Sequence, residues 1–255
     1  MLKGLDMHIN SSVKMKINFT LAFTLILYWA ITQFTIGGLL LGLLSYATIG
    51  KLGGDVGMHR YFSHKSFRTN VFWDKVIKLA AFMIGHGSMF LWTITHRAHH
   101  KDSDTVDDPH SPQFGGFFKI FFRTWSGNFI PSVIYGKDLL KDKEIMWIHK
   151  HYFKLFYVML LCQFLLGFDI ILFLFAFPCF GFFLETGFVN TIGHSKGYKT
   201  YVTKDNSTNN PVLNILTLGN GMHNNHHKNQ SAYTNAGSKW YEFDLMKYFI
   251  NAIKT

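Results

Sequence analysis

Two long apolar blocks dominate the pattern of hydrophobic and polar positions along this chain. Residues 17–49 contain no charged side chain, and residues 153–189 are almost as apolar. Because a membrane-spanning helix needs about 20 apolar residues, each block can form a hairpin of two short or tilted helices. Gly37-Gly38 and the Thr32/Gln33 region offer a turn in the first block, and Gly167-Phe168-Asp169 offers one in the second. The pattern predicts an all-α integral membrane protein with four transmembrane helices, at about residues 17–33, 35–52, 153–168 and 170–190.

The charged residues lie outside the apolar blocks. No lysine or arginine occurs between Lys16 and Lys51 or between Lys154 and Lys196, although the formal net charge of the chain is +10. Basic residues beside membrane spans mark the segments that face the cytoplasm. We therefore expect a multi-pass protein whose two termini and central region lie on the cytoplasmic side. On this interpretation the basic balance needs no nucleic-acid partner.

The expected organisation is a single domain, residues 1–255, in which two polar segments, 53–152 and 191–255, form a cytoplasmic helical cap. Residues 73–91 within the first segment are apolar but contain Lys75 and Lys78. A fifth span there would put the residues before and after it on opposite sides of the membrane. We therefore expect a helix that lies at the membrane interface.

Nine of the fourteen histidines fall into three clusters and one separate position. The clusters read His-Arg-Tyr-Phe-Ser-His at 59–64, His-Arg-Ala-His-His at 96–100 and His-Asn-Asn-His-His at 223–227, and Asn-Thr-Ile-Gly-His at 190–194 supplies the ninth. Two clusters share the spacing His-x-x-His-His, and residues three and four apart lie on one face of a helix. We therefore expect each of these two clusters to direct three imidazoles at one point.

This number of histidines indicates a site for two metal ions. Imidazole is the commonest metal ligand in proteins and suits iron, zinc, copper and nickel, and nine rings exceed the four ligands of a tetrahedral zinc. The two cysteines, Cys162 and Cys179, lie inside the apolar blocks and not beside the clusters. A metal transporter would need polar ligands within its spans, but the blocks contain no histidine and only Asp169 and Glu185 as carboxylates. The pattern favours a metalloenzyme.

The clusters, their order and their flanking segments resemble the integral-membrane acyl desaturases of the stearoyl, or Δ9, type. The flanks that carry the resemblance are Asp-Asp-Pro-His at 107–110, Gly-Tyr-Lys-Thr-Tyr at 197–201, Asp-Asn-Ser-Thr-Asn at 205–209 and Trp-Tyr-Glu-Phe-Asp at 240–244. The similarity extends over about residues 18–250. It implies an enzyme that uses O2 to introduce a cis double bond, at Δ9, into a saturated fatty acyl chain.

In this family nine histidines hold two iron ions. The resemblance implies the same role here for His59, His64, His96, His99, His100, His194, His223, His226 and His227. It also implies that Asn190 reaches one iron through a water molecule. The iron carries the oxygen chemistry while the protein positions the chain. Because desaturation and hydroxylation begin with the same hydrogen abstraction, an acyl-chain or lipid hydroxylase of the same histidine-box group stays open as an alternative.

The resemblance further implies a narrow, bent substrate tunnel beneath the metals. Trp92 and Thr186 match tunnel residues of the family. Two other tunnel positions depart from the family pattern, because His86 stands where a glutamine is usual and Gly187 where a tryptophan is usual. These departures are expected to bear on which chains the tunnel accepts.

Lys51 introduces a charge where the family line is usually uncharged. One interpretation places Lys51 near the closed end of the tunnel, where it would limit the length of the chain. The other is an ion pair with Asp55, which lies four residues later on the same predicted helix. Because a charge at membrane depth is costly, this position calls for one of these explanations.

Two further features bear on the partners. Ile94 and Thr95 replace an Arg-Asp pair that grips the CoA head group in the animal acyl-CoA enzymes, and Thr95 has no charge with which to bind a nucleotide. The acyl carrier therefore stays open between an acyl-lipid, an acyl-CoA and another carrier. The sequence shows no His-Pro-Gly-Gly signature of a fused haem domain, so we expect an external electron donor such as ferredoxin or cytochrome b5.

Overall fold

The computed structural model describes residues 2–122 and 132–255, with side chains described from residue 13 onward. Within these ranges the chain forms helices, turns and isolated bridges, with no β-strand. Part of the expected cap, residues 123–131, lies outside the described residues. The helices are α1 Leu2–Thr32, α2 Ile36–Ser63, α3 Val71–Met83, α4 Met89–Asp102, α5 Pro112–Gly115, α6 Phe117–Phe122, α7 Lys143–Leu166, α8 Phe168–His194, α9 Pro211–Leu216, α10 His223–Lys228 and α11 Met246–Ile253.

The chain divides into two compact units. Unit 1 comprises residues 1–58, 74–93 and 136–183, and unit 2 comprises residues 59–73, 94–135 and 184–255. Unit 1 contains most of the apolar helical residues, whereas all nine clustered histidines belong to unit 2.

Within the described ranges, three helical segments are long and apolar enough to cross a membrane. They are Val13–Thr32 in α1, Ile36–Ser63 and Phe168–His194. The fourth expected span, residues 153–168, lies at the end of α7, whose N-terminal half carries charges that include Lys143, Glu144 and Lys150. Many apolar side chains of these helices face outward, as expected for helices in contact with lipid; Ile31, Leu40, Leu165 and Leu166 are examples.

Close helix packing in unit 1 depends on glycines of α2. From Tyr46 onward most of α2 is wound as a π-helix, a form that is rare and occurs most often at functional sites. A side chain at Gly53 would overlap the backbone of Ala80, and one at Gly54 would overlap the ring of Phe182. Glycine at these two positions therefore lets α2 approach α3 and the unit 1 part of α8.

α8 contains a comparable irregularity. Its backbone is π-helical over Leu172–Ala176, directly before Pro178. Proline has no N–H and its ring clashes with the carbonyl four residues earlier, so a regular helical turn cannot continue through it. The wider turn accommodates the proline without ending the helix.

α3 occupies the position expected of the interfacial helix but is shorter than the apolar stretch 73–91. Gly85 and Gly87 both have positive φ, and they keep the chain from continuing as a helix after Met83. Lys78 of α3 lies 3.0 Å from a carboxylate oxygen of Asp74 and 2.8 Å from one of Glu144. These ion pairs fix α3 to the start of α7 within unit 1.

Lys51 and Asp55 form an ion pair with an Nζ–Oδ2 distance of 2.9 Å, and both side chains are fully buried. The spacing of four residues on α2 brings the two groups together, as one of the two interpretations of Lys51 expected. Burial removes the water that would otherwise solvate each charge, so each group depends on the other.

Removing one partner of this pair should destabilise unit 1. Lys51→Ala leaves the Asp55 carboxylate buried without its cation, which is expected to cost about 3–5 kcal/mol. The double variant Lys51→Met, Asp55→Leu removes both charges and should recover most of that loss. Thermal unfolding of the purified proteins in detergent measures both effects. Equal unfolding temperatures for Lys51→Ala and the wild type would show that the pair does not stabilise the helix.

Candidate metal centre

The nine histidines of the sequence clusters lie together in unit 2 as two groups. Within each group the candidate ligand atoms all lie within 4.8 Å of one another. Group A consists of His59, His64, His96, His100 and His226, and group B consists of His99, His194, His223 and His227. The expectation of two metal positions built from these residues is therefore matched by the geometry of the side chains.

The expectation that each His-x-x-His-His cluster directs three rings at one point is wrong. In both clusters the first and last histidines share a group, while the middle histidine belongs to the other group. Successive helical residues turn by about 100°, so positions i and i+4 are about 40° apart, whereas i+3 and i+4 are about 100° apart. Each helix therefore presents two directions, and the two clusters exchange their middle histidines between the groups.

The ring nitrogens are spaced as ligands of a common ion would be. In group A the Nε2–Nε2 distances are 3.0 Å for His59–His226, 2.8 Å for His64–His96, 3.0 Å for His96–His100 and 3.0 Å for His100–His226. In group B, Nε2 of His194 lies 2.9 Å from Nε2 of His223. Metal–imidazole distances of about 2.1 Å put neighbouring nitrogens of an octahedral shell about 3 Å apart. The donor set thus fits metal ions.

Two buried ring nitrogens of group B support the same conclusion. Nε2 of His99 and Nε2 of His227 are buried and have no hydrogen-bond partner among the described residues. A buried acceptor without a partner is costly, so such atoms need an explanation. A metal ion that accepts a lone pair from each of these two nitrogens supplies that explanation.

Three aspartates orient the rings of group B. Asp108, Asp104 and Asp205 each accept a hydrogen bond of 2.8 Å from Nδ1, of His99, His194 and His227 respectively. All three carboxylates are buried. A carboxylate at Nδ1 fixes the tautomer that leaves Nε2 free for a metal, holds the ring plane, and makes the ring a stronger donor. The three carboxylates place negative charge behind the rings of group B, and this charge favours the binding of a cation.

Burial keeps most of the ligand rings neutral. Together with the neighbouring histidines it lowers the pKa well below the ordinary value for His64, His96, His100, His223, His226 and His227. The neutral ring is the form that binds a metal. His99 differs, because the effect of burial is outweighed by the carboxylate of Asp108, which raises the pKa of His99.

Asparagines hold the third cluster in place. Oδ1 of Asn209 accepts hydrogen bonds from the backbone N–H groups of Asn224 and Asn225, at 2.9 and 3.2 Å. Oδ1 of Asn224 in turn accepts from the backbone of Thr200 and Tyr201, at 2.9 and 2.8 Å. The two asparagines between the histidines of α10 thus connect this short helix to residues 200–209, which precede α9. These hydrogen bonds hold the histidines of α10 in place.

Two arginines connect the first cluster to the rest of unit 2. Arg60 is 1% exposed, and its guanidinium makes a bidentate pair with the carboxylate of Asp244, at 2.8 and 3.2 Å. The guanidinium of Arg97 donates to the backbone carbonyls of Phe62, Ser63 and Tyr135, at 2.8, 2.7 and 2.6 Å. Planar, multiply bonded guanidinium groups fix both position and orientation. Arg60 and Arg97 therefore hold the first two histidine clusters in place.

The remaining expected site residues are distributed over both units. Asn190 is half-buried on α8, four residues before His194, and Thr186 and Gly187 lie one turn earlier. His86 is buried in unit 1, where its Nδ1 lies 2.8 Å from the carbonyl of Ile84 and its ring lies between those of Phe19 and Phe182. Burial lowers the pKa of His86 to about 4, so the ring is neutral.

Two features of the site were not anticipated from the sequence. The carboxylate partners Asp108 and Asp205 lie in flanking segments that carry the family resemblance, but Asp104 has no such signal and pairs with a histidine 90 residues away. Phe121 of α6 was not expected either. A side chain at Gly187 would come within 3.0 Å of the Phe121 ring, so this phenylalanine occupies the space beside the glycine.

A histidine centre for two metals, on a chain with helices of membrane length, defines a membrane metalloenzyme. The family model for fatty acid desaturases matches residues 29–243. The chain therefore belongs to the fatty acid desaturase family, and it is an oxidoreductase of lipid metabolism.

Three known proteins illustrate the similarity. An sn-1 stearoyl-lipid 9-desaturase of Anabaena variabilis is 31% identical over 208 residues, which cover 80% of this chain and 75% of that protein. A Δ9 acyl-lipid desaturase of Arabidopsis thaliana is 30% identical over 210 residues, with 80% and 68% covered. An acyl-CoA 5-desaturase of Anemone leveillei is 31% identical over 222 residues, with 84% and 68% covered.

The carboxylate layer of group B should control metal retention. Asp205→Asn keeps an oxygen that accepts from Nδ1 of His227 but removes the charge, and the affinity for iron or cobalt should fall about 10- to 100-fold. Metal content by mass spectrometry after a timed chelator challenge measures the loss. The exposed neighbour of a group B partner, Asp107, provides the control variant Asp107→Asn. Equal retention by the two variants would contradict the role given to Asp205.

Proposed function

We propose that this chain introduces a cis double bond at Δ9 of a saturated fatty acyl chain, using two iron ions and O2. The observation that carries the proposal is the pair of histidine groups, one of five rings and one of four, whose ligand atoms lie close together. The names of the relatives from Anabaena variabilis and Arabidopsis thaliana support the Δ9 position. Iron is supported by the family and by the all-nitrogen donor set, which it shares with other imidazole-binding metals.

In this proposal the bound iron supplies the activation of O2 that breaks two unactivated C–H bonds. The balance requires four electrons for O2: two come with two protons from the acyl chain, and two come singly from an electron donor. Two further protons come from solvent, and the products are one double bond and two water molecules. Each of the nine histidines would hold an iron ion through a ring nitrogen, and Asn190 would hold a water molecule beside one of the two ions.

The protein residues supply position. The aspartates at His99, His194 and His227 hold those rings against rotation, so that the metals keep their places while the ligand water and the chain exchange. A methylene chain offers no polar handle, and selection of one pair of carbons therefore depends on the shape of the tunnel. We assign the tunnel lining to Trp92, Thr186, His86 and Gly187.

Lys51 is proposed to act at the closed end of this tunnel. Its ion pair with Asp55 keeps the charge compensated, so the apolar chain meets a neutral pair and not an isolated ammonium. The two interpretations of Lys51 are therefore compatible: the ion pair makes the residue tolerable at this depth, and its bulk can limit chain length.

The proposed arrangement in the membrane has four spans, two termini in the cytoplasm and the metal centre in a cytoplasmic helical cap formed by 53–152 and 191–255. The three membrane-length helices support it, together with the apolar C-terminal half of α7. The acyl carrier that we favour is a membrane lipid, because Ile94 and Thr95 provide no charge for a CoA head group. An external electron donor such as ferredoxin or cytochrome b5 supplies the electrons.

The fatty-acid profile of a desaturase-deficient host that expresses the chain tests the function. With a compatible electron donor, we expect new monoenes with one bond position, located by derivatisation and gas chromatography–mass spectrometry. His227→Ala should abolish them and lower bound iron, whereas His151→Ala, a histidine outside both groups, should leave them unchanged. Hydroxylated chains in place of monoenes would contradict desaturation. No new product from an iron-loaded protein with a working donor would contradict the acyl substrate.

The pairing of Gly187 with Phe121 gives a second prediction. Gly187→Trp, the residue usual in the family, should overlap the Phe121 ring and lower product formation at least about tenfold through overpacking. Adding Phe121→Gly should restore activity, because it vacates the space that the indole needs. The same fatty-acid profile measures both variants. Full activity of Gly187→Trp alone would show that Phe121 does not fill this space.

A further inference from the structure

A series of easily oxidised side chains runs from group B to the surface of unit 2. It begins at Met222, which directly precedes the ligand His223. The hydroxyl of Tyr198 lies 3.7 Å from the sulfur of Met222. The ring centre of Tyr198 lies 6.5 Å from that of Tyr241, whose own centre lies 5.6 Å from the centre of Trp240. We call Met222, Tyr198, Tyr241 and Trp240 the Tyr–Trp path.

The two ends of this path differ in their exposure. Met222 has no exposed surface, Tyr198 and Tyr241 are half-buried, and Trp240 is 89% exposed. Both ring pairs fall within the separations usual for interacting aromatic side chains, about 4.5–7 Å between centres. Electron transfer slows steeply with distance, so a series of short steps is faster than one long step. The Tyr–Trp path therefore connects the segment that carries a group B ligand to the solvent.

Glu242 supplies a proton acceptor for the buried part of the path. The hydroxyl of Tyr198 donates to Oε1 of Glu242 at 2.5 Å, and Oε2 accepts from the backbone N–H of Lys239 at 3.2 Å. The carboxylate is thus fixed, and Glu242 is 2% exposed. Burial, together with the bond to Glu242, raises the pKa of Tyr198, so the resting phenol is protonated. A phenol that loses an electron becomes a strong acid, and its proton passes to the carboxylate already bonded to it.

Lys239 determines how strong an oxidant the path responds to. Its Nζ lies 4.9 Å from the ring centre of Tyr198 and 5.6 Å from that of Tyr241. A cation at this distance makes it harder to remove an electron from either ring. A centre that can take hydrogen from an unactivated methylene group is strong enough, because a phenolic O–H bond is weaker than such a C–H bond. Weaker oxidants leave the path reduced.

We propose that the Tyr–Trp path delivers electrons to the metal centre when O2 has been activated without an acyl chain in place, and so protects the ligand histidines from oxidation. This inference rests on the proposed function. It assigns the chain a second, protective activity, in which a small thiol at the exposed indole of Trp240 is the reductant.

The electrons and protons balance in three steps. Tyr198 gives one electron to the oxidised centre and its proton to Glu242, which leaves a neutral phenoxyl radical. Tyr241 then gives an electron to Tyr198, which takes its proton back from Glu242, while Tyr241 releases a proton to water. Trp240 reduces Tyr241, which regains a proton from water, and a thiol returns one electron and one proton to Trp240.

Two such passages complete the reduction of O2. Two thiols supply two electrons and two protons and combine into one disulfide. These electrons replace the two that the acyl chain would give, the electron donor supplies the other two, and solvent supplies two further protons. The products are two water molecules, with no double bond formed.

Electron paramagnetic resonance of freeze-quenched samples tests the path. Hydrogen peroxide is added to the iron-loaded protein in the absence of an acyl substrate. Peroxide already contains the two electrons of the donor, so the reading depends on neither donor nor acyl chain. The wild type is compared with Tyr198→Phe and with Glu242→Gln. The control is Tyr61→Phe, which removes a half-buried phenol from the ligand segment 59–64, outside the path.

We expect a tyrosyl radical in the wild type and in Tyr61→Phe, and its loss in Tyr198→Phe. Glu242→Gln should weaken the signal, because an amide does not take up the phenolic proton. Peptide mass spectrometry should find Met222 sulfoxide and oxidised ligand histidines at least about twofold more abundant in Tyr198→Phe than in the wild type. The metal-free protein gives the background of direct oxidation by peroxide, and equal iron content shows that the variants are folded.

Trp240→Phe tests the exposed end of the path without disturbing the interior, because the indole is 89% exposed. This variant should form the tyrosyl radical as the wild type does. When glutathione is added, the radical should decay more slowly than in the wild type, because the step that passes the electron inward from the surface is missing.

Three results would overturn the protective path. One is an undiminished radical in Tyr198→Phe, another is an equal loss in Tyr61→Phe, and the third is a decay with glutathione that does not depend on Trp240. Failure of the proposed function has a different signature. The radical would form and depend on Tyr198, but a host that expresses the chain would contain no new fatty acyl product.

Discussion

Nine imidazoles gathered in one largely buried volume are the constraint on which the rest of this structure depends. Burial, together with repulsion from neighbouring histidines, lowers the pKa of six of these rings and keeps them neutral, so each has a nitrogen lone pair that no proton occupies. The nitrogens of His99 and His227 that face the centre have no partner among the described residues. Metal ions resolve both problems, since they bind neutral rings and use the lone pairs that burial has stripped of water. Folding of unit 2 and metal binding are therefore coupled.

The surroundings of the two metal positions differ. Three buried carboxylates bond to rings of group B, whereas His64 and His100 of group A line a cavity together with Arg97 and Lys101. Negative charge behind a ligand favours the more highly charged state of its metal. The protein thus offers one position stabilised from within and one reached from solvent.

The sequence was sufficient for features that depend on local spacing. Apolar blocks predicted the membrane-length helices, because hydropathy and length are properties of a segment by itself. The ion pair of Lys51 with Asp55 was one of two readings of the i, i+4 spacing. The nine ligands followed from the family resemblance and the histidine pattern. The expectation that each His-x-x-His-His cluster converges on one point was wrong, because same-face spacing was treated as a single direction.

Features that depend on tertiary contact could not be read from the sequence. Asp104 meets His194 across 90 residues, and Phe121 fills the space beside Gly187 from another helix. Neither contact can be predicted from the spacing of residues within one segment, because each joins two segments that are far apart in the sequence. The fourth span was expected from the apolar residues 153–168, but the helix there begins in a charged segment at Lys143. The apolar composition predicted where this helix ends but not where it begins.

The central claim is that the nine histidines divide five and four between two iron ions. Anomalous diffraction from crystals of the iron-loaded protein, collected on both sides of the iron absorption edge, tests this directly. The account predicts two iron peaks, one within bonding distance of the five rings of group A and the other within bonding distance of the four rings of group B. A single peak, or two peaks in which a His-x-x-His-His cluster binds one ion with all three of its rings, would contradict it.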